Sequence, residues 1–146
     1  MASCLDATKL LTDADEKRIS EFLELLHRDK WTESSHTEDG IVISWMKDPD
    51  NPAIIVKGST PIKAPLRTTF EWMTDDATFQ QCMQVVDPMC SSAKVIQRVD
   101  AKHTVQWAQF KLPPPLWDRE FLWSGLATML PSGAAAVLGS STEHPD

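Results

Sequence analysis

A chain of 146 residues with a formal net charge of −7 argues against a nucleic-acid partner, whose phosphates demand a basic footprint. It also argues against adhesion to anionic lipid surfaces, because no Lys/Arg cluster is present. A hydrophobic share of 42 % and a charged share of 24 % are those of a globular domain with its own core.

The first eleven residues read as a disordered terminus and 12–146 as one domain. Cys4, Cys82 and Cys90 show no CxxC spacing, and no signal sequence is visible, so they read as reduced thiols of a cytoplasmic protein. No apolar run approaches the length of a membrane span. Thr12 or Asp13 caps a helix whose first turn carries Asp15 and Glu16, carboxylates suited to the positive end of a helix dipole. Ile19, Phe22, Leu23 and Leu26 recur on one helical face, and the helix is expected to stop near Lys30. The polar face mixes both charges, which favours packing over lying on a membrane.

Trp31 to His36 and Ile41 to Met46 form an expected hairpin about Glu38-Asp39-Gly40. Asp48 to Pro52 breaks the chain, and Ile54 to Gly58 is the next strand. A helix follows from Leu66 to Met73, with Pro65 at its start. Asp75 and Asp76 are read as caps of a second helix, which runs to Val86 and is ended by Pro88. From Ala93 the period falls to two. Val95 to Val99 and Thr104 to Lys111 flank a turn at Asp100-Ala101-Lys102-His103. Pro113-Pro114-Pro115 stops the second of these strands, because proline has no N–H to give a ladder. Leu116 and Trp117 then stand at a loop tip, an unusual place for large apolar residues. Phe121 to Met129 is almost wholly apolar and is expected to be covered on both faces. Pro131-Ser132-Gly133 turns the chain into a last strand, Ala134 to Ser141. Its small residues would let a helix or a ligand approach closely. The order of helices and antiparallel strands is α+β.

The segment LPPPLWDREFLW resembles the PPP–(x)–RDF segment of START domains, the lipid-transfer modules related to steroidogenic acute regulatory protein. Upstream, GIVISW…IIVKGSTPIKAPLRTTFEWMTDDATFQQC is similar to the family's two strands followed by two helices. Downstream, GAAAVLGSSTEHPD is similar to a later strand. The resemblance covers Trp31 to Asp146. It implies a helix-grip (START/Bet v 1-like) fold, a curved antiparallel sheet that grips a long C-terminal helix around a lipid cavity. By that pattern the last strands and the helix have no counterpart after Asp146. The expectation is therefore a C-terminally incomplete domain, open to self-association or to a partner chain.

The function implied by the resemblance is binding and non-vesicular transfer of a hydrophobic lipid, with transient membrane contact and no cofactor. The lipid-binding candidates are Trp107, Phe110, Leu116, Trp117, Arg119, Phe121 and Trp123. Arg119 matches the arginine of the family motif, with Glu120 in place of the usual Asp. A charge between apolar strands needs a carboxylate, from Asp118, Glu120 or a neighbouring strand, so Arg119 is expected to be buried, paired and structural. Sterol-binding members carry a second arginine six residues later, where this chain has Gly125. Aromatic residues at strand period equally make an ordinary core.

Nothing in the sequence supplies a catalytic constellation, and no enzyme activity is expected. His27, His36, His103 and His144 lack metal-ligand spacing. Cys82 and Cys90 read as core thiols. Ser140-Ser141 has no glycine-framed elbow. The alternative to lipid transfer is a START-derived interaction or regulatory module. A helix-grip enzyme acting on an apolar substrate is the third reading, with no catalytic group to name.

Overall fold

The structure is a computed structural model that describes residues 11–143. The expected disordered terminus thus lies almost wholly outside the described residues. Those residues group into two compact units, one of 17–64 and one of 11–16 with 65–143.

Helix α1 spans Asp13–Leu26. Its start is a reciprocal cap. The Thr12 N–H and hydroxyl donate to Asp15 Oδ2 at 3.0 and 2.8 Å, and the Asp15 N–H donates to Thr12 Oγ1 at 3.2 Å. Each satisfies a group that a helix start leaves orphaned. The helix ends earlier than the expected Lys30. The Trp31 indole N–H donates to the Leu25 carbonyl at 3.3 Å, occupying an acceptor at the helix end.

In the smaller unit, β1 (Thr32–His36), β2 (Val42–Lys47) and β3 (Ile54–Ser59) form an antiparallel sheet in that order. Gly40 makes the first turn possible at φ 80°, a left-handed conformation that costs glycine nothing. The Lys57 ammonium lies 4.3 Å from the Trp31 ring centroid, a cation–π contact.

In the larger unit, α2 (Leu66–Thr74) begins directly after Pro65 and α3 (Phe79–Val86) follows a short turn. The expected capping by Asp75 and Asp76 is not what starts α3. Thr78 is its N-cap and makes no side-chain capping bond. Asp75 instead accepts from the Ala77 N–H at 2.8 Å, and Asp76 is taken by Arg98. Strands β4 (Cys90–Arg98), β5 (His103–Phe110), β6 (Arg119–Met129) and β7 (Ala135–Ser141) form an antiparallel meander in sequence order. The Asp100 carboxylate holds the β4–β5 turn by accepting from the Lys102 and His103 N–H groups at 2.8 and 2.9 Å. Gly133, at φ 84°, serves the β6–β7 turn. The proline loop joins β5 to β6, with the Pro114–Pro115 peptide cis.

Side chains opposite each other across antiparallel strands share a face. Phe79 of α3 packs on Cys90, Ala93 and Ala108 of one face, with Met83, Val95, Phe110 and Trp123 around them. Burial raises the thiol pKa of both Cys82 and Cys90, in keeping with core thiols. The expectation that β6 is covered on both faces is corrected. Gly125, Leu126 and Thr128 are buried, but Phe121 is 51 % exposed, because α3 packs mainly on β4 and β5 and meets β6 at Trp123.

Candidate functional site

The face of the four-stranded sheet that receives α3 carries the features of interest. Register sets them in rows. Arg98, Thr104, Gly125 and Gly139 stand side by side across the four strands. In the next row are Val95, Gln106, Trp123 and Ser141. Beyond them lie Ala93, Ala108 and Phe121, then Cys90, Phe110 and Arg119.

The aromatic members of this face touch one another. Phe110 and Phe121 meet edge to face at 5.5 Å between centroids and 79°. Trp123 and Phe79 are tilted at 6.4 Å. These are favourable aromatic geometries. Trp107 does not join them. It pairs with Leu122 and Lys94 on the opposite face, where the Lys94 ammonium lies 5.3 Å from its ring. The proposed aromatic set is therefore divided by the pleat of β5, with Trp107 on one side and Phe110, Phe121 and Trp123 on the other.

Leu116 and Trp117 are exposed on the proline loop, Trp117 at 84 %. Arg119 is exposed as well, and among the described residues no carboxylate pairs with it. The buried, structural ion pair expected of Arg119 is thus not formed, because the strand starts at the open rim of the sheet. Arg98 takes the structural part instead. Its guanidinium pairs with Asp76 and donates to the Thr74 carbonyl at 3.0 Å, fastening the end of α2 to β4.

Gly125 and Gly139 leave the row beside Thr104 bare. A Cβ on Gly125 would lie 2.7 Å from Thr104 Oγ1 and 3.3 Å from Gln106 Oε1, and one on Gly139 would lie 3.1 Å from Trp123 Cδ1. The three side chains thus occupy the space that two missing Cβ atoms leave. The Trp123 indole N–H donates to Gln106 Oε1. A cleft of about 20 Å³ opens here, and Arg98, Lys102, Thr104, Gln106, Gly125 and Val137 are among the residues that line it. That is room for one water molecule or one small functional group.

A second cluster sits on the other face. His103 is held by Asp100 at 2.9 Å through Nδ1 and by Asp15 at 3.0 Å through Nε2. Burial alone would lower the pKa of His103, but the two carboxylates raise it above the ordinary histidine value. Burial would raise that of Asp15, yet the hydrogen bonds from His103 and Thr12 bring it below the usual carboxylate range. Among the described residues no group of three or more His, Cys, Asp or Glu is placed to hold a metal ion. No helix among them is long and apolar enough to cross a membrane.

Thr104, Gln106 and Arg98 were not among the residues the sequence singled out for a site. Strand period could have found the first two, since they alternate onto the face of Phe110.

An α+β chain with a proline loop between two strands and two short helices packed against its sheet defines a fold class. No family model and no curated protein matches the sequence. Solved structures do match. Human StAR-related lipid transfer protein 5 superposes with a TM-score of 0.75 at 15 % identity, over 89 % of this chain and 62 % of that one. The human StarD13 (DLC2) lipid transfer and protein localization domain gives 0.67 at 19 %, over 94 % and 69 %. Human STARD10 gives 0.71 at 14 %, over 96 % and 55 %. The fold is that of START domains, the helix-grip α+β arrangement. The chain spans 62 % of the length of the first of these structures and 55 % of the last.

Proposed function

We propose that this chain binds a hydrophobic lipid and takes part in its transfer between membranes, without a covalent step. One observation carries the reading. A START-type sheet face bears Phe110, Phe121 and Trp123 next to the few polar groups of Thr104 and Gln106, the mixture typical of apolar ligand sites. The lipid body lies along the partly open half of that face, at Phe121, Trp123 and Val137. Burying alkyl carbons there contributes about 0.8 kcal/mol per CH₂. Leu116 and Trp117 serve as the transient membrane contact, since an indole suits the headgroup level. The protein works in the cytoplasm, a reading supported by the free thiols of Cys82 and Cys90. Mass spectrometry of an organic extract of the purified chain tests the reading. A defined lipid at near-stoichiometric yield supports it, and an extract matching the buffer blank from a folded sample opposes it.

A second reading has its own observation. The cleft on this face measures about 20 Å³, whereas ligand pockets run to roughly 300–1,000 Å³. A small cleft favours a START-derived interaction module, in which the exposed apolar residues meet another protein. A stable stoichiometric partner together with a lipid-free extract would decide for it.

A further inference from the structure

A neutral imidazole carries one N–H and one lone pair, and only the imidazolium donates from both ring nitrogens. In His103 both nitrogens face a carboxylate. Nδ1 stands 2.9 and 3.0 Å from the two oxygens of Asp100, and Nε2 stands 3.0 Å from Asp15 Oδ1. The geometry therefore specifies the cation, since either neutral tautomer would set a lone pair against a carboxylate oxygen. The two links differ in what stands behind them. Asp100 lies three residues from His103 and is fixed in the same turn by the Lys102 and His103 N–H groups. Asp15 lies 88 residues away, on the first turn of α1, and is only 5 % exposed. Among the described residues, its bond to His103 is the one hydrogen bond that ties residues 12–16 to the sheet.

The charged surroundings of His103 are few. From α1 it meets Asp15, while Asp13 and Glu16 of the same turn are exposed. From its own turn it meets Asp100, and the buried Lys102 ammonium reaches Thr128 Oγ1 at 3.4 Å. Across the strand pair stand Leu126 and, two residues on, Thr128, both uncharged. Arg98 of β4 stands beside Thr104 on the opposite face, held by Asp76 and the Thr74 carbonyl. The two carboxylates are thus the charges that act on the ring.

We propose that the His103 imidazolium is a proton-operated latch, which docks the first turn of α1 on the β4–β5 turn and lets it go when one proton is lost. The device needs no ligand and stands apart from the lipid-binding reading. On deprotonation the ring keeps its Nδ1–H for Asp100, the partner that the turn holds in place. Nε2 then presents a lone pair to Asp15 Oδ1, so two acceptors face each other with no hydrogen between them. A buried carboxylate that has lost its cation is unfavourable, and moving into water relieves it. Asp15 Oδ2 keeps the Thr12 N–H and hydroxyl, so the helix start undocks with its cap intact. Burial by itself lowers the pKa of His103, but the bonds to Asp15 and Asp100 raise it above the ordinary value. The latch is therefore fully closed below about pH 6.5 and opens as pH rises through the folded value.

Paramagnetic relaxation in the full chain tests this. A nitroxide is placed on Ala14→Cys, an exposed position of the turn, with Cys4→Ser to keep labelling to one site. Cys82 and Cys90 are buried. While the turn is docked, the label broadens the amide signals of Ala101 and Lys102. Between about pH 5.5 and about pH 9 this broadening should fall at least about fivefold, with the same midpoint as the ¹⁵N signals of the His103 ring. The neutral ring should carry its proton on Nδ1, and the circular dichroism of the sheet should not change. Asp15→Asn is the discriminating variant. Its side-chain NH₂ donates to the lone pair of neutral Nε2, so the turn should stay docked at about pH 9. His103→Gln should show no step across the range. Constant broadening in the wild type, a midpoint apart from that of His103, or loss of the sheet signal together with docking would overturn the proposal. So would Asp15→Asn undocking along the wild-type curve. Should a variant not fold by circular dichroism, the two wild-type titrations decide.

Discussion

Gly125 and Gly139 stand opposite each other in the β6–β7 register, and the space their missing Cβ atoms leave is filled by Thr104 and Gln106 on one side and by Trp123 on the other. This arrangement brings the Thr104 hydroxyl, the Gln106 carboxamide and the Trp123 indole close to the two glycines. It ranks two substitutions. In Gly125→Ala the new carbon would sit 2.7 Å from Thr104 Oγ1, a short β-branched side chain that can give way only by changing rotamer. The cost is about 1–3 kcal/mol, as for other overpacked sites. Gly139→Ala needs only a few tenths of an ångström from Trp123 and should cost less than about 1 kcal/mol. Urea unfolding of both variants gives the order. Gly139→Ala proving the more damaging would contradict the packing described.

His103, clasped by Asp15 and Asp100, makes stability depend on pH. Its raised pKa means that its contribution is complete below the ordinary histidine value of about 6.5 and is lost as pH rises through the folded value. The lowered pKa of Asp15 acts in the opposite sense, contributing above about 3.8 and failing as pH falls through its folded value. The melting temperature should therefore be highest between roughly pH 4 and 6.5 and should decline on further alkalinisation. His103→Gln should flatten the alkaline limb. An unchanged limb in that variant would remove His103 as its cause.

The two arginines should differ in what they hold. Arg98→Met loses a charged hydrogen bond to the Thr74 carbonyl and the pairing with Asp76. Asp76 is half exposed, so solvent screens part of that attraction, and the loss should be about 1–2 kcal/mol. Arg119→Leu, at an exposed and unpaired position, should stay within about 0.5 kcal/mol of the parent. Thermal denaturation of the two variants side by side is the check, and equal losses would contradict the placement of Arg119.

Much of this was legible in the sequence, and what was not has a common cause. Period-two patterning located the strands at Val95 to Val99 and Thr104 to Lys111, although β4 starts earlier, at Cys90, an apolar run marked Phe121 to Met129, and Thr12 with Asp15 announced the first helix. The motif around Pro113 to Phe121 pointed to the START fold. The misreadings are cases where a residue's partner lies far along the chain. Asp76 looked like a cap because Arg98 is 22 residues away. Asp15 and His103 are separated by 88 residues. Arg119 was assigned to the interior because its neighbours are apolar, but the rim of the sheet is set by where α3 packs. Trp107 and Phe110 stand together among the sequence candidates although alternation puts them on opposite faces, and only the structure shows which of those faces α3 packs on. The β5–β6 register sets Gln106 opposite Trp123, and their side-chain bond depends in addition on rotamers that the sequence does not show.

Trp117 supplies a test of membrane contact in the intact chain. With 5-fluorotryptophan incorporated and its resonance assigned by Trp117→Phe, adding zwitterionic phospholipid vesicles should shift and broaden that signal selectively. The indole is 84 % exposed beforehand and would enter the headgroup region. An unperturbed Trp117 signal while lipid is being transferred would place the contact elsewhere.

The central claim is that the sheet face bearing Phe121 and Trp123 carries the lipid. Its most direct test is extraction of labelled lipid from sedimentable donor vesicles into the supernatant by the wild-type chain and by Phe121→Asp, which sets a charge on the exposed half of that face. The account predicts label in the supernatant in proportion to wild-type protein and a loss of at least tenfold in the variant, with Phe121→Leu close to wild type. Label that stays with the vesicles at every wild-type concentration, or extraction by Phe121→Asp at the wild-type level, would contradict it.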